Sequence, residues 1–171
     1  MEPGKLYFFT STILNWQHLL LDDDCKQILV DCWKHFIQRD KLRLYSFVIM
    51  PNHYHLIWSV NDPKPETIQR DIHKWTAKQL ISHMQLNNPH RLDYFQVDDA
   101  DRTIQIWERN PLAVELYSED VIWQKIEYIH HNPCVEKWQL AKHAEEYKYS
   151  SARFYLMNQD EWGFITHIQD A

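Results

Sequence analysis

The sequence predicts an α+β fold in which an antiparallel sheet carries helices on one face and a further helix over the other. Three observations lead there. A helix-period apolar pattern is followed by two strand-like runs that meet at a tight turn. The second of these runs alternates with a period of two. A second helical pattern, a fourth short alternating run and a third helix then complete the order β-α-β-β-α-β-α.

Leu6–Leu14 is rich in aromatic and β-branched residues and reads as the first strand. Asp22-Asp-Asp24 supplies an N-cap and first-turn carboxylates. Apolar residues then recur at Cys25, Ile28, Leu29, Cys32, Trp33, Phe36 and Ile37, the spacing of a helix with one buried face. Leu42–Met50 and His53–Val60 flank Pro51-Asn52, two residues suited to a tight turn, and form a hairpin. A second helix runs from Glu66 to about Leu86. Ile68, Ile72 and Trp75 share one of its faces, whereas Ala77, Leu80, Ile81 and Met84 lie nearer the opposite one, so its second half is expected to meet another surface. Asn87-Asn-Pro89 ends it, a polar, acidic loop runs to Asp101, and Thr103–Trp107 alternates like a fourth strand. Ser118 caps a third helix that Pro133 must stop. The first six elements match the split β-α-β, ferredoxin-like order. Residues 1–132 are read as the domain proper and 133–171, which lack clear periodicity, as a C-terminal tail packing on it.

Composition narrows the chemistry. A chain of 171 residues suits one domain with a substantial core. It holds only two glycines and neither G-x-x-x-x-G-K-[ST] nor G-x-G-x-x-G, which argues against P-loop and Rossmann nucleotide binding. A net charge of −6 excludes a generic polyanion binder, so any nucleic-acid contact must use a local basic patch. Cys25, Cys32 and Cys134 lack metal-type spacing, and the first two fall on the apolar helix face as small buried thiols. With no spanning apolar run and no basic leader, a soluble cytoplasmic protein without membrane contact is expected.

Two constellations carry chemistry. His53 and His55, two apart on a strand, point to the same sheet face, while Tyr54 points to the other with Leu56, Trp58 and Val60. Neutral imidazoles so placed can hold one divalent metal. In a chain with 11 His, such a pair can also arise by chance as a structural feature. On the third helix, Ile122, Ile126 and Ile129 make the buried stripe, and Lys125, Tyr128 and Asn132 lie together on its flank. If this helix crosses the open face, the Asn132 carbonyl oxygen becomes a third ligand. Oxygen beside imidazole suits Mg²⁺ or Mn²⁺.

Met50-Pro-Asn-His-Tyr-His-Leu-Ile57 resembles the His-hydrophobe-His motif of the HUH single-tyrosine transposases. Tyr128-Ile-His-His-Asn-Pro133 resembles that family's tyrosine-helix motif, and Tyr147-Lys-Tyr-Ser-Ser-Ala-Arg-Phe-Tyr155 the C-terminal signature of its REP-associated branch. The resemblance covers the chain from the first strand to about Tyr155. It implies that residues 1–132 form an HUH catalytic domain, with His53, His55 and Asn132 as ligands of Mg²⁺ or Mn²⁺ and Tyr128 as nucleophile. The expected activity is cleavage and rejoining of single-stranded DNA at hairpin-containing element ends through a 5′-phosphotyrosine. A phenol ordinarily titrates near ~10 and is a poor nucleophile unaided, so covalent catalysis of this kind needs the metal. Arg70, Lys74, Lys78, Arg109, Lys125, Lys148 and Arg153 are the candidate DNA contacts, with aromatic rings to stack on unpaired bases. A homodimer and a monomer both stay open. The alternative is a non-enzymatic DNA-hairpin binding protein of the same fold. A His-dependent nucleotide hydrolase fits less well, because position 57 is Ile where a third alternating His would stand.

Overall fold

The computed structural model describes residues 1–100 and 102–171; Asp101, the end of the predicted acidic loop, lies outside the described residues. The chain runs β1 (Leu6–Thr12), α1 (Asp23–Ile37), β2 (Leu42–Ile49), β3 (His53–Val60), α2 (Pro65–Asn87), β4 (Gln96–Asp99), β5 (Arg102–Ile104), β6 (Leu112–Glu115), α3 (Glu119–His131) and α4 (Ala152–Met157). The main sheet has the order β2-β3-β1-β6 with every neighbouring pair antiparallel. β1 and β2 are therefore parallel with β3 between them, the split β-α-β arrangement.

Thr103–Trp107 is not the fourth strand of this sheet. That place belongs to Leu112–Glu115, which pairs with Tyr7–Thr10, while Arg102–Ile104 pairs with Gln96–Asp99 in a separate ribbon. Leu112 and Val114 are exposed on a sheet edge, so the true strand lacks the apolar weight that alternation reading relies on. Ile106 and Trp107 are buried instead as part of a connection, with Ile106 O accepting from Leu14 N at 2.7 Å.

α1 begins where expected, with Asp22 Oδ1 accepting from Asp24 N at 2.9 Å. α2 corrects the reading of its face. Ile68, Ile72, Thr76, Leu80 and Met84, each four residues apart, are all buried, so both halves of the helix enter one core. Thr76 hides the continuity because it is polar: its Oγ1 donates to Ile72 O at 2.8 Å and accepts from Trp107 Nε1 at 3.0 Å. Trp75 is on the surface.

The sheet separates two cores. Phe9, Tyr54, Leu56 and Trp58 meet α1 and α2 through Leu29, Trp33 and Ile72. Phe8, Val48 and Ile57 meet Ile126 and Ile129 of α3 on the other face, with Ile122 partly buried beside them. A bulge at Tyr45 in β2 shifts the alternation by one, so Leu44 and Phe47 both face the first core while Tyr45 and Val48 face the second. The residues after α3 run along the β2 edge: Tyr149 O accepts from Ile49 N at 2.9 Å, Ser151 Oγ from Phe47 N at 3.0 Å, and Leu44 O from Thr166 N at 2.9 Å. These bonds satisfy a strand edge that would otherwise be open. No helix among the described residues is long and apolar enough to cross a membrane.

Candidate active site

The hairpin turn closes with Met50 N donating to His53 O at 2.8 Å, which sets the phase of β3. His53 and His55 then face α3, with ring centroids 4.7 Å apart. Thr12 and Thr10 of β1 lie directly opposite them in register. Each imidazole is held by Nδ1. Asn52 Oδ1 accepts from His53 Nδ1 at 2.7 Å, and the Asn52 amide is oriented because its Nδ2 donates to Trp16 O at 3.2 Å. His55 Nδ1 lies 2.7 Å from Thr10 Oγ1. Asn52 Oδ1 can only accept, so His53 Nδ1 donates and its Nε2 carries a lone pair. The tautomer in which His55 Nδ1 donates to Thr10 Oγ1 frees His55 Nε2 in the same way, the arrangement that metal-binding histidines receive from outer partners.

The donors suit a divalent ion. Among the described residues, His55 Nε2 is buried and has no hydrogen-bond partner. Trp33 Nε1 and Trp58 Nε1 share that condition, but those are indole N–H groups inside the closed core and cannot ligate. Burial pushes His53 down to about 4, with the Lys137 charge adding to it. Burial, then His53 and Lys125, push His55 down to about 3. Both rings are thus neutral at physiological pH, as metal ligation requires.

α3 brings the remaining groups. Ser118 Oγ accepts from Val121 N at its start, and Ile126 and Ile129 bury its stripe. Near its end His130 Nε2 lies 2.8 Å from Ser151 Oγ and 3.3 Å from Ser46 Oγ, so the helix is tied to β2 and to the tail. The Tyr128 ring sits 5.3 Å from the His55 ring and 6.0 Å from Phe8, and is half exposed. The Lys125 ammonium lies 4.8 Å from the Phe8 ring and 5.6 Å from the Tyr128 ring. Asn132 is the C-cap residue and is buried. His53, His55, Tyr128 and Asn132 line one cavity of about 390 Å³ together with Thr10, Thr12, Trp16, His131, Val135, Lys137 and Trp138.

Other tyrosines near these elements are committed elsewhere. Tyr54 points into the opposite core, its hydroxyl 3.2 Å from His73 Nε2, and burial raises it. Tyr147 OH donates to Ile49 O at 2.7 Å and Tyr149 OH to Asp23 O at 3.2 Å; burial raises both.

The chain shares its fold with a solved transposase. That structure, a REP-associated tyrosine transposase bound to a REP hairpin, is 19% identical, with a TM-score of 0.65 over 96% of this chain and 84% of that one. A second solved structure, a Deinococcus radiodurans R1 protein described provisionally as a transposase, is 20% identical, with a TM-score of 0.45 over 75% of this chain and 95% of that one. No protein-family model matches the sequence, and no curated protein matches it.

The candidate DNA contacts divide into three groups. Arg70, Lys74, Lys78 and Arg109 line one groove of about 840 Å³ between α2 and residues 102–111. Within it Arg109 pairs with Asp99, and Arg70 lies 3.6 Å from Asp71. Lys125 stands apart from both other groups, its ammonium against the Phe8 and Tyr128 rings. Lys148 sits 5.0 Å from the Tyr149 ring, and Arg153 donates to Glu145 O and pairs with Glu161, so these two are bound up in the tail. Sequence reasoning missed Thr10, Thr12, Asn52, Trp16, Lys137 and Trp138. The two threonines were discoverable as polar positions in an apolar strand, but nothing local marks Trp16 or Trp138. A further cluster, Asp22, Cys25 and His83, has ligating atoms within 4.8 Å of one another. It is already satisfied as a link between α1 and α2: His83 Nε2 lies 3.0 Å from Asp22 Oδ2, and burial pushes the Cys25 thiol up to about 12.

Proposed function

We propose that the chain is a single-tyrosine transposase of the REP-associated type, which cuts and rejoins single-stranded DNA beside a hairpin. The observation that carries this reading is the cavity itself. A strand-borne His pair with oriented, neutral rings faces a helix-borne tyrosine and asparagine across one space. The shared fold with a transposase bound to a REP hairpin supports the same reading and suggests a DNA hairpin as partner.

His53 Nε2, His55 Nε2 and the Asn132 amide oxygen would hold Mg²⁺ or Mn²⁺. When bound, such an ion polarises a phosphate oxygen as a Lewis acid. The Tyr128 oxygen attacks the scissile phosphorus, its O–H bond and the P–O3′ bond break, and the released 3′ oxygen takes up a proton. A 5′-phosphotyrosine remains, and because the bond energy is kept, a 3′-hydroxyl can later reverse the step without ATP. Asn52 and Thr10 orient the imidazoles, and Lys125 offers a positive charge where the phosphate must enter. Arg70, Lys74, Lys78 and Arg109 would follow the backbone of the hairpin.

The test is Tyr128→Phe, which removes only a half-exposed hydroxyl. With Mn²⁺ and 5′- or 3′-labelled hairpins, the parent should retain label only from the downstream fragment, and peptide mapping should find it on Tyr128. The variant should bind hairpins equally while cleavage falls by at least ~10⁴-fold. Full cleavage by the variant, or an adduct on Tyr147 or Tyr149, would defeat the assignment. Hairpin binding without any cleavage by the parent would favour a non-enzymatic binding protein.

A further inference from the structure

We infer that Trp16 and Trp138 form a stacking site for one unpaired base adjacent to the scissile phosphate, an inference that rests on the function proposed above. Trp16 is a large apolar side chain left 59% exposed on the wall of the His-pair cavity. Its place is not a by-product of an easy turn. Asn15 and Trp16 both adopt left-handed backbone, with φ of 53° and 56°, a conformation that two successive non-glycine residues rarely take. Side-chain and main-chain bonds hold them there. Glu108 Oε1 accepts from Asn15 N at 2.7 Å, Ile13 O from Trp16 N at 3.0 Å, and Trp16 O accepts from Asn52 Nδ2 at 3.2 Å. Asn52 is also the residue that orients His53, so one side chain sets both the metal-facing ring and the exposed indole.

Trp138 reaches the same cavity from the segment after α3. Its backbone N–H and that of Gln139 both donate to Val135 O, at 2.9 and 3.0 Å, and Gln139 is itself left-handed with φ 46°. The Trp138 ring lies 5.9 Å from His53, and the Trp16 ring lies 6.5 Å from it, so His53 is bordered by two indoles. The Lys137 ammonium stands 5.2 Å from the Trp138 ring.

Flat aromatic faces beside cations, at the edge of a phosphate-cleaving centre, match one kind of occupant. A nucleotide combines a planar base with an anionic phosphate. A base within a duplex has both faces covered, so only an unpaired one can use the indoles. Indoles offer a π-face and one N–H, which recognise the presence of a base more than its identity. The cavity, at about 390 Å³, lies within the roughly 300–1,000 Å³ range of small-ligand sites. The site would therefore fix the position of the cut within the single strand, while the hairpin is held elsewhere.

Abasic scanning of the full-length Tyr128→Phe protein tests this without cleavage. The probe is a fluorescein-labelled DNA hairpin with single-stranded thymidine flanks, carrying one abasic site at each flank position in turn. One position should weaken binding by roughly 5- to 150-fold and its neighbours much less. Adding Trp16→Ala and Trp138→Ala should cost a similar factor on the intact probe and abolish the extra loss at that position. Trp16→Tyr with Trp138→Tyr should restore most of it, and this milder pair decides the matter should the alanine pair fail to fold. A flat abasic profile with hairpin binding intact would overturn the stacking site alone. So would an unchanged profile in the alanine protein. Absence of hairpin binding by the parent would overturn the functional reading together with this one.

Discussion

Tyr54, Leu56, Trp58 and Val60 look from β3 towards α1 and α2, whereas His53, His55, Ile57 and Ser59 look towards α3. Both rows are buried, so burial does not separate core from site. The difference lies in how each row is completed. On the first face, rings close on rings: Trp58 meets Phe9 at 4.9 Å, and Tyr54 meets Trp33 at 5.2 Å and Trp107 at 5.4 Å. On the second, each imidazole is held through Nδ1 and lines a cavity, and His55 Nε2 has no hydrogen-bond partner. One-sided satisfaction beside open space, rather than burial or polarity, distinguishes the candidate site. A buried lone pair without a partner costs free energy that a fully packed core avoids.

Trp58→Ala should break the first face with the largest effect. Truncating a fully buried aromatic ring typically costs about 3–5 kcal/mol, read from urea unfolding, while Mn²⁺ affinity of the folded fraction stays near the parent's. Comparable losses in both quantities would mean that the two faces are not separable.

Asn52→Ala should do the reverse on the second face. Loss of an outer partner of a ligating imidazole lowers metal affinity by about 10- to 100-fold, measurable by calorimetric titration with Mn²⁺, with a much smaller loss of stability. Parent-like affinity would remove Asn52 from the site.

The subtlest contrast is acid sensitivity. His73 lies on the α1/α2 side, close to Ser11 Oγ and Tyr54 OH, and burial pushes it down to about 4 from its ordinary 6.5. Between those values the unfolded chain binds a proton that the folded chain refuses. Stability is then full above pH 6.5 and falls as pH drops towards 4, with a slope approaching ~1.4 kcal/mol per pH unit for one such imidazole. His53 and His55 add their own shares over the same range, so His73→Asn should reduce the slope in pH-dependent unfolding by one imidazole's share. An unchanged slope would show that His73 does not set the acid limit.

Much of this was legible in the chain because it depends on local spacing. The seven apolar positions of α1 after Asp22-Asp-Asp24 specify that helix, and Pro51-Asn52 between two apolar runs specifies the hairpin. The period of two sends His53 and His55 to one side and Tyr54 to the other. The fourth strand escaped because Leu112–Glu115 is a short edge strand with exposed side chains. The more apolar 103–107 segment is divided between a separate ribbon ending at Ile104 and buried Gln105–Trp107, of which Trp107 makes a single bridge to Ile13. The continuity of α2 escaped because Thr76 satisfies its hydroxyl inside the helix, which the pattern of apolar letters does not register.

The sequence by itself determined the identity and phase of the candidate site groups: two imidazoles on one strand face, and a phenol and an amide four residues apart on one helix flank. Such relations follow from the 2.0 and 3.6 residue periods, which need only the local backbone. The tertiary structure alone decided that these groups share a cavity, that Asn52 and Thr10 orient the rings, and that Trp16 and Trp138 border His53. Those contacts join residues as far apart as Trp16 and Trp138. They depend on the packing of α3 across the sheet and on left-handed turns held by distant side chains, which no local period encodes.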